Sequence, residues 1–257
     1  MPNCKIRIPA IIAILLLTSL LTGCVSWLRA YQTYLQMNEF DRYFNIVVKD
    51  DFSLLFKEPL LYDHDFVDFS NLYPTENDLS KDGGRQWRYR FRKVDANQKT
   101  VLPEVSFYSQ MQFNRDKRLT AWSFSPLFLQ IAPPEFLEVS LRSLAGADID
   151  EGKKQLKANN DLAGKISAEL PQKATVLANL GEPLEIKQES DHELYIYHFL
   201  LDTPRIEKGY ESNALNEIKL SFDNKDHRLY NMAGNFAGLK VSIDYRKFLK
   251  TAAAEKQ

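Results

Sequence analysis

Two tandem modules of an α+β fold, each a helix pair packed on a small antiparallel sheet, are what the sequence predicts, and three observations carry the prediction. Residues 87–92 read WRYRFR, which puts Trp87, Tyr89 and Phe91 on one side of a strand and Arg88, Arg90 and Arg92 on the other, because side chains alternate along a strand with a period of two. Residues 194–199 read LYIYHF and set Tyr195, Tyr197 and Phe199 in the corresponding places. A hairpin pattern follows each run, VSFYSQMQFNRDKRLTAWSF at 105–124 and EIKLSFDNKDHRLYNMAG at 217–234, with Phe222 answering Phe113 and Arg228-Leu229 answering Arg118-Leu119. Helix, helix, strand, strand, strand thus occurs twice, about 110 residues apart. Two copies are too few for a solenoid, which leaves a pair of small modules.

The chain opens with Lys5 and Arg7 ahead of an apolar stretch from Ala10 to Leu21. A bilayer-spanning helix needs roughly 20 apolar residues, so this stretch is a secretory signal rather than a span. It closes on Leu21-Thr22-Gly23-Cys24, which resembles the lipobox of bacterial lipoproteins. The resemblance implies cleavage of residues 1–23, a diacylglyceryl group on the Cys24 sulfur and an N-acyl group on its amine, with no other cofactor expected. Each buried CH₂ contributes about 0.8 kcal/mol, and more than one acyl chain gives stable anchoring. Residues 24–257 are therefore expected to stay on their membrane. Val25 stands where such lipoproteins carry an aspartate when retained in the inner membrane, which implies the outer membrane, facing the periplasm, in a Gram-negative host. An ordinary cleaved signal with a chance cysteine is the alternative.

No Ser/Gly tether follows Cys24. Trp27, Tyr31, Tyr34, Leu35, Phe40, Tyr43, Phe44 and Val47 recur near helical spacing and predict an amphipathic helix with an aromatic face. That face reads as core, with Trp27 the exception, placed at the headgroup layer where Trp is enriched. FSLLFKEPLL (52–61) and TVLANLGEPLEI (175–186) each read as a short helix stopped by Glu-Pro. Pro133-Pro134 opens a further helix that Gly146 ends, and Asp148 with Glu151 resembles a capping box for a helix through about Asn159. The boundaries are a signal at 1–23, a first module at 24–132 and a second at 133–257.

Leu180-Gly181-Glu182-Pro183, the aromatic strand after it and the Phe-Asp…Arg-Leu hairpin resemble the BamE/SmpA-type lipoprotein domain. They are also similar to the β-lactamase-inhibitor-protein fold, a tandem of such modules. Residues 171–234 carry most of the resemblance. It implies two helices on one face of each sheet and a binding role, in outer-membrane protein assembly or in occlusion of an enzyme cleft.

Composition narrows the chemistry. Of the two cysteines, Cys4 leaves with the signal and Cys24 is acylated, so no thiol serves as nucleophile, metal ligand or disulfide partner. Losing Lys5 and Arg7 leaves 31 basic against 34 acidic side chains, and that balance gives no electrostatic reason to bind nucleic acid. Asp63-His64-Asp65 offers metal ligands, but adjacent residues seldom face one ion and no spaced His pair supports them, so it reads as a polar loop. Asp191-His192-Glu193 reads the same way. Asp223, Asn224 and Asp226 form a turn too short for a calcium loop. No GxSxG occurs, and no carboxylate pair stands out. The arginines on the open side of 87–92 are the sharper feature: Arg88, Arg90 and Arg92 offer bidentate hydrogen bonds to phosphate or carboxylate, the alternative being a solvated face balanced by neighbouring acids. The expectation is a non-catalytic, lipid-anchored binding or assembly-accessory protein with an envelope protein partner. An envelope enzyme or carrier with a site between the modules, or a structural lipoprotein contacting peptidoglycan, are the alternatives.

Overall fold

Period-two alternation becomes strand wherever the sequence shows it, and the strands join into one sheet. The structure, a computed structural model, describes residues 25–145, 147–150, 155–157, 164–236 and 239–250. Residues 25–36 form helix α1, followed by a 3₁₀ turn at Met37–Glu39 and the single turn α2 (Phe40–Tyr43). Strands β1 (Phe44–Val48) and β2 (Phe52–Phe56) precede helix α3 (Asp63–Ser70). Strands β3 (Glu76–Leu79), β4 (Arg85–Val94), β5 (Ser106–Phe113) and β6 (Leu119–Phe124) come next. Helices α4 (Pro126–Leu129) and α5 (Pro134–Arg142) lead to a small separate hairpin, β7 (Asp148–Asp150) with β8 (Gln155–Lys157). Helix α6 (Lys173–Leu180) opens the last run, β9 (Glu185–Gln188), β10 (His192–Leu201), β11 (Leu215–Asp223), β12 (Leu229–Phe236) and β13 (Leu239–Asp244).

The sheet has 11 strands in the order β1-β2-β6-β5-β4-β10-β11-β12-β13, with β3 added to β4 and β9 to β10. Every described pairing in it is antiparallel, and the whole curls into a half-barrel. This corrects the fold class expected from the sequence. There are not two sheets, each under a helix pair, but one sheet, with a single eight-residue helix, α3 or α6, at the start of each repeated run. The physical reason lies in the strand edges. Beyond β3 and β9, the far ends of β4 and β10 would each present unpaired N–H and C=O groups, an edge that folded proteins cover or pair. Here they pair with each other, Phe91 opposite Leu201 and Lys93 opposite Phe199.

A repeat is nonetheless written in the local geometry. Tyr62 bridges Arg118 and Gln172 bridges Arg228, each residue 110 positions from its counterpart. Asp63 N donates to Lys117 O and Lys173 N to His227 O. Lys117 and His227 both take positive φ, at 62° and 55°, and so do the residues closing the helices, Asn71 and Gly181. Both hairpins carry a register shift at the same step, before Phe113 and before Phe222. Two other expectations fall. Residues 52–56 form a strand whose Phe52, Leu54 and Phe56 are buried, and the helix begins after the proline, at Asp63. The proposed capping box at Asp148 instead lies in the β7–β8 hairpin; Gly146 and Glu151 lie outside the described residues.

Trp87, Tyr89, Phe91, Tyr195, Tyr197 and Phe199 all point into the core. Phe107 and Phe199 meet edge to face across the β4–β10 seam with centroids 4.9 Å apart, a favoured aromatic geometry. Phe199 is fully buried, so Phe199→Ala is expected to cost about 3–5 kcal/mol in a urea titration. A loss below about 1 kcal/mol, the size of an ordinary surface change, would mean that the strand faces are reversed.

Candidate functional site: the arginine face and the clamped first helix

Strand β4 carries Arg88, Arg90 and Arg92 on the side away from the aromatic core, and the sheet register supplies each with a partner. Glu76 lies opposite Arg88 on β3, and Arg88 Nη1 donates to Glu76 Oε2 at 2.9 Å. Gln110, opposite on β5, accepts from Arg88 Nη2 at 2.9 Å, and the guanidinium lies 5.0 Å from the Tyr108 ring centroid. The seam carries β10 past Arg92, so Asp202 arrives between two arginines. Its Oδ2 accepts from Arg90 Nη2 at 2.8 Å and its Oδ1 lies 3.3 Å from Arg92 Nη2. The Asp202 bond raises the Arg90 pKa further. Three cations thus meet two acids on a half-exposed surface. The stripe is a set of oriented guanidiniums with most of its charge matched internally.

The second feature is the inner side of α1. Ser26 and Thr33 are buried, and Ser26 Oγ donates to Asp68 Oδ2 at 2.8 Å. Arg29 Nε donates to Asp65 Oδ2 at 2.8 Å, and its Nη2 closes a second contact on Asp65 Oδ1. This is the bidentate fork that makes arginine suited to carboxylates. Arg29 also lies 4.9 Å from the Tyr62 ring centroid. Asp65 is fully buried at the start of α3, where Tyr62 N donates to its Oδ2 at 2.8 Å. Burial pushes the Asp65 carboxyl up, but the Arg29 bonds and the Tyr62 N–H outweigh it and hold the pKa below the ordinary value. Of the α1 residues expected in the core, Tyr31 and Leu35 point outward instead, alongside Leu28 and Trp27, the residue expected outside it, while Tyr34 is half-buried and its hydroxyl donates to Ala147 O at 2.5 Å. Farther along the expected face, Phe40 and Phe44 are buried, but Phe44 begins a strand.

Asp63-His64-Asp65, weighed as metal ligands and read as a polar loop, lies instead on the first turn of α3. Ligand atoms of His64, Asp65 and Asp68 lie within 4.8 Å of one another, yet Arg29 already sits on Asp65, with its Nη2 2.9 Å from His64 Nε2. The guanidinium is the cation of this cluster. Glu193 binds Lys173 Nζ at 2.6 Å and Asp191 binds His192 Nδ1 at 2.8 Å. Arg246 pairs with Asp223 and, with the Lys225 N–H, brings its pKa down to about 2. Leu21, Thr22, Gly23 and Cys24 lie outside the described residues. Among the described residues, no helix is long and apolar enough to cross a membrane. Comparison with protein-family models, with curated proteins and with solved structures finds no match.

Sequence reasoning missed the Arg29–Asp65 clamp. Its signal was present, since Ser26, Arg29 and Thr33 recur at helical spacing on the side opposite Trp27 and Tyr31. Removing one partner of a buried ion pair costs about 3–5 kcal/mol, because the other charge is left uncompensated. Asp65→Asn is therefore expected to speed amide hydrogen exchange through residues 25–36 while leaving β10 and β11 protected. A carboxylate with a depressed pKa contributes stability that is complete above its unfolded value and is lost as pH falls through the folded one. The wild-type advantage over Asp65→Asn should thus be full above the ordinary value of 3.8 and shrink below it. Equal exchange in the two proteins at neutral pH would show that the clamp does not hold α1.

Proposed function

We propose that this chain is a lipid-anchored, periplasm-facing, non-catalytic binding or assembly-accessory lipoprotein of the bacterial outer membrane. The observation that carries the proposal is how soon after Cys24 the folded body begins. Ser26, two residues on, is already buried and bonded to Asp68, and Arg29 is forked to Asp65. A body joined to acyl chains through so short a link is held close to its bilayer and in a restricted orientation. That suits presentation of a fixed surface to a neighbour better than a long reach. The surface we assign to an acidic envelope protein partner is the open side of β4, where Arg88, Arg90 and Arg92 are pre-oriented by Glu76 and Asp202. Their hydrogen bonds gain strength when an interface desolvates them.

Two variants test the two halves of this reading. Cys24→Ser should yield unprocessed or soluble periplasmic protein, absent from carbonate-washed outer membranes; persistence there would refute the anchor. For the partner, Arg88→Ala with Arg90→Ala is preferable to glutamate, which would set like charges against Glu76 and Asp202. The double variant should lose no more than about 1 kcal/mol of stability, as exposed ion pairs do, and should no longer crosslink to the envelope protein captured by wild type. Unchanged capture by the folded, lipidated variant would return the stripe to a solvated face.

A further inference from the structure

Helix α1 is amphipathic with its faces reversed relative to an ordinary surface helix, in which the apolar stripe meets the core. Its polar residues Ser26, Arg29 and Thr33 face the protein: Asp68 and Asp65 of α3 receive Ser26 and Arg29, and Thr33 is buried and donates back to the Arg29 carbonyl of its own helix. Its large apolar residues face outward: Val25 is 45% exposed, Trp27 40%, Leu28 52%, Tyr31 36% and Leu35 44%. Trp27 and Tyr31 stack on each other at 5.7 Å, forming a continuous aromatic surface. Isolated exposed leucines need no explanation, but a contiguous patch marks an interaction surface.

We infer that this stripe is seated in the headgroup and upper acyl region of the phospholipid bilayer, lying along the surface so that the lipid and the helix together fix the orientation of the body. Three observations select a bilayer over a second copy or a protein. Cys24 immediately precedes the first residue of α1 and stands three positions before Trp27, so acyl chains on it would enter the membrane beside the stripe. Trp and Tyr are the residues enriched at the membrane interface. Residues 25–38 contain one arginine and no acid, so nothing in this segment repels an anionic lipid surface, while its one charge is held inward on Asp65. The inference rests on the lipid-anchor reading and adds to it a surface.

The test uses mature lipidated protein reconstituted into vesicles of phosphatidylethanolamine and phosphatidylglycerol, with acyl chains brominated near the headgroup as quenchers. Trp27 is one of three tryptophans; Trp87 is buried and Trp122 partly buried in the core, so both should be insensitive. Brominated lipid is expected to quench part of the emission, and Trp27→Phe should abolish that quenchable part while intact mass and vesicle flotation stay those of the acylated protein. Lipidated protein that floats but shows no quenching, or quenching that survives Trp27→Phe, would overturn the inference and leave the anchor standing. Protein without a lipid mass increment that fails to float would end both. A detergent-solubilised dimer lost on Leu28→Ser with Tyr31→Ser would assign the stripe to a second copy instead.

Discussion

The pairing of β4 with β10 is the constraint on which the rest depends. The seam runs only from Phe91–Leu201 to Val94–His198, yet it turns two runs of strands into one sheet and removes the two edges most exposed to wrong pairing. It also sets the core, since Phe107 reaches Phe199 only because the strands beneath them are joined. It places Asp202 beside Arg90 and Arg92, with Asp202 N donating to Arg90 O at 2.8 Å to continue the ladder. The arginine face is therefore a product of the seam as much as of β4 itself.

The seam is nearly symmetric, and its departure from symmetry is informative. Register makes Phe91 the counterpart of Phe199 and Lys93 that of Leu201, and each pairs across the seam with the other's counterpart. Lys93 is nevertheless a buried cation. Its Nζ donates to Leu180 O at 2.7 Å and Glu182 O at 2.5 Å, satisfying the last carbonyl of α6, which the helix leaves unpaired, and one two residues beyond it. Burial lowers its pKa, with Glu182 opposing. A cation suits a helix C-terminus, where the backbone dipoles converge on negative charge. The first copy closes α3 differently, with Asn213 Nδ2 donating to Ser70 O at 2.9 Å. The two helices also differ on their outer faces. Asp65 and Asp68 of α3 correspond, 110 positions on, to Thr175 and Ala178 of α6. Only α3 offers carboxylates, so only the first copy can receive Arg29 and Ser26.

Strands with one buried face were legible because alternation is a direct readout of side-chain geometry: β4, β5, β6, β10, β11 and β12 all lie where WRYRFR, LYIYHF and the two hairpin patterns put them. The helices were harder. DHDFVDFS is short of apolar residues, so α3 looked like a loop; what stabilises it is Asp65 taking the Tyr62 N–H at its start and Arg29 from outside. FSLLF carries a helix-like signal because Leu55 fills an outward strand position with an apolar side chain and the following Glu-Pro resembles a helix stop. The union of two sheets into one left no local mark, since the seam joins residues about 110 apart in sequence and backbone hydrogen bonds are blind to side-chain identity. On the site, the alternation showed the arginines sharing a face. It gave no sign of their acids, because Glu76 and Asp202 are brought in by register and by the seam.

The orientation of α1 follows from where charge can be buried, whatever lies outside the helix. Turning the helix over would not bring Trp27, Leu28, Tyr31 and Leu35 onto an apolar surface. The ground beneath it carries Asp65, Asp68 and His64 beside the Tyr62 ring, so the aromatics would desolvate two carboxylates and give them no hydrogen bonds. A carboxylate as deeply buried as Asp65, left without Arg29, costs about 3–5 kcal/mol. The exposed stripe already covers roughly half of its side-chain surface, and full burial of each residue would add only about 1 kcal/mol even on an apolar partner. The clamp therefore wins, and the apolar side of α1 is committed outward by the ion pair on its inner side. A surface helix of a water-soluble body has a cheaper solution, serine or lysine at 27, 28, 31 and 35. Aromatic and aliphatic residues at these four positions, beside a cysteine that resembles an acylation site, are what a surrounding of lipid rather than water would favour.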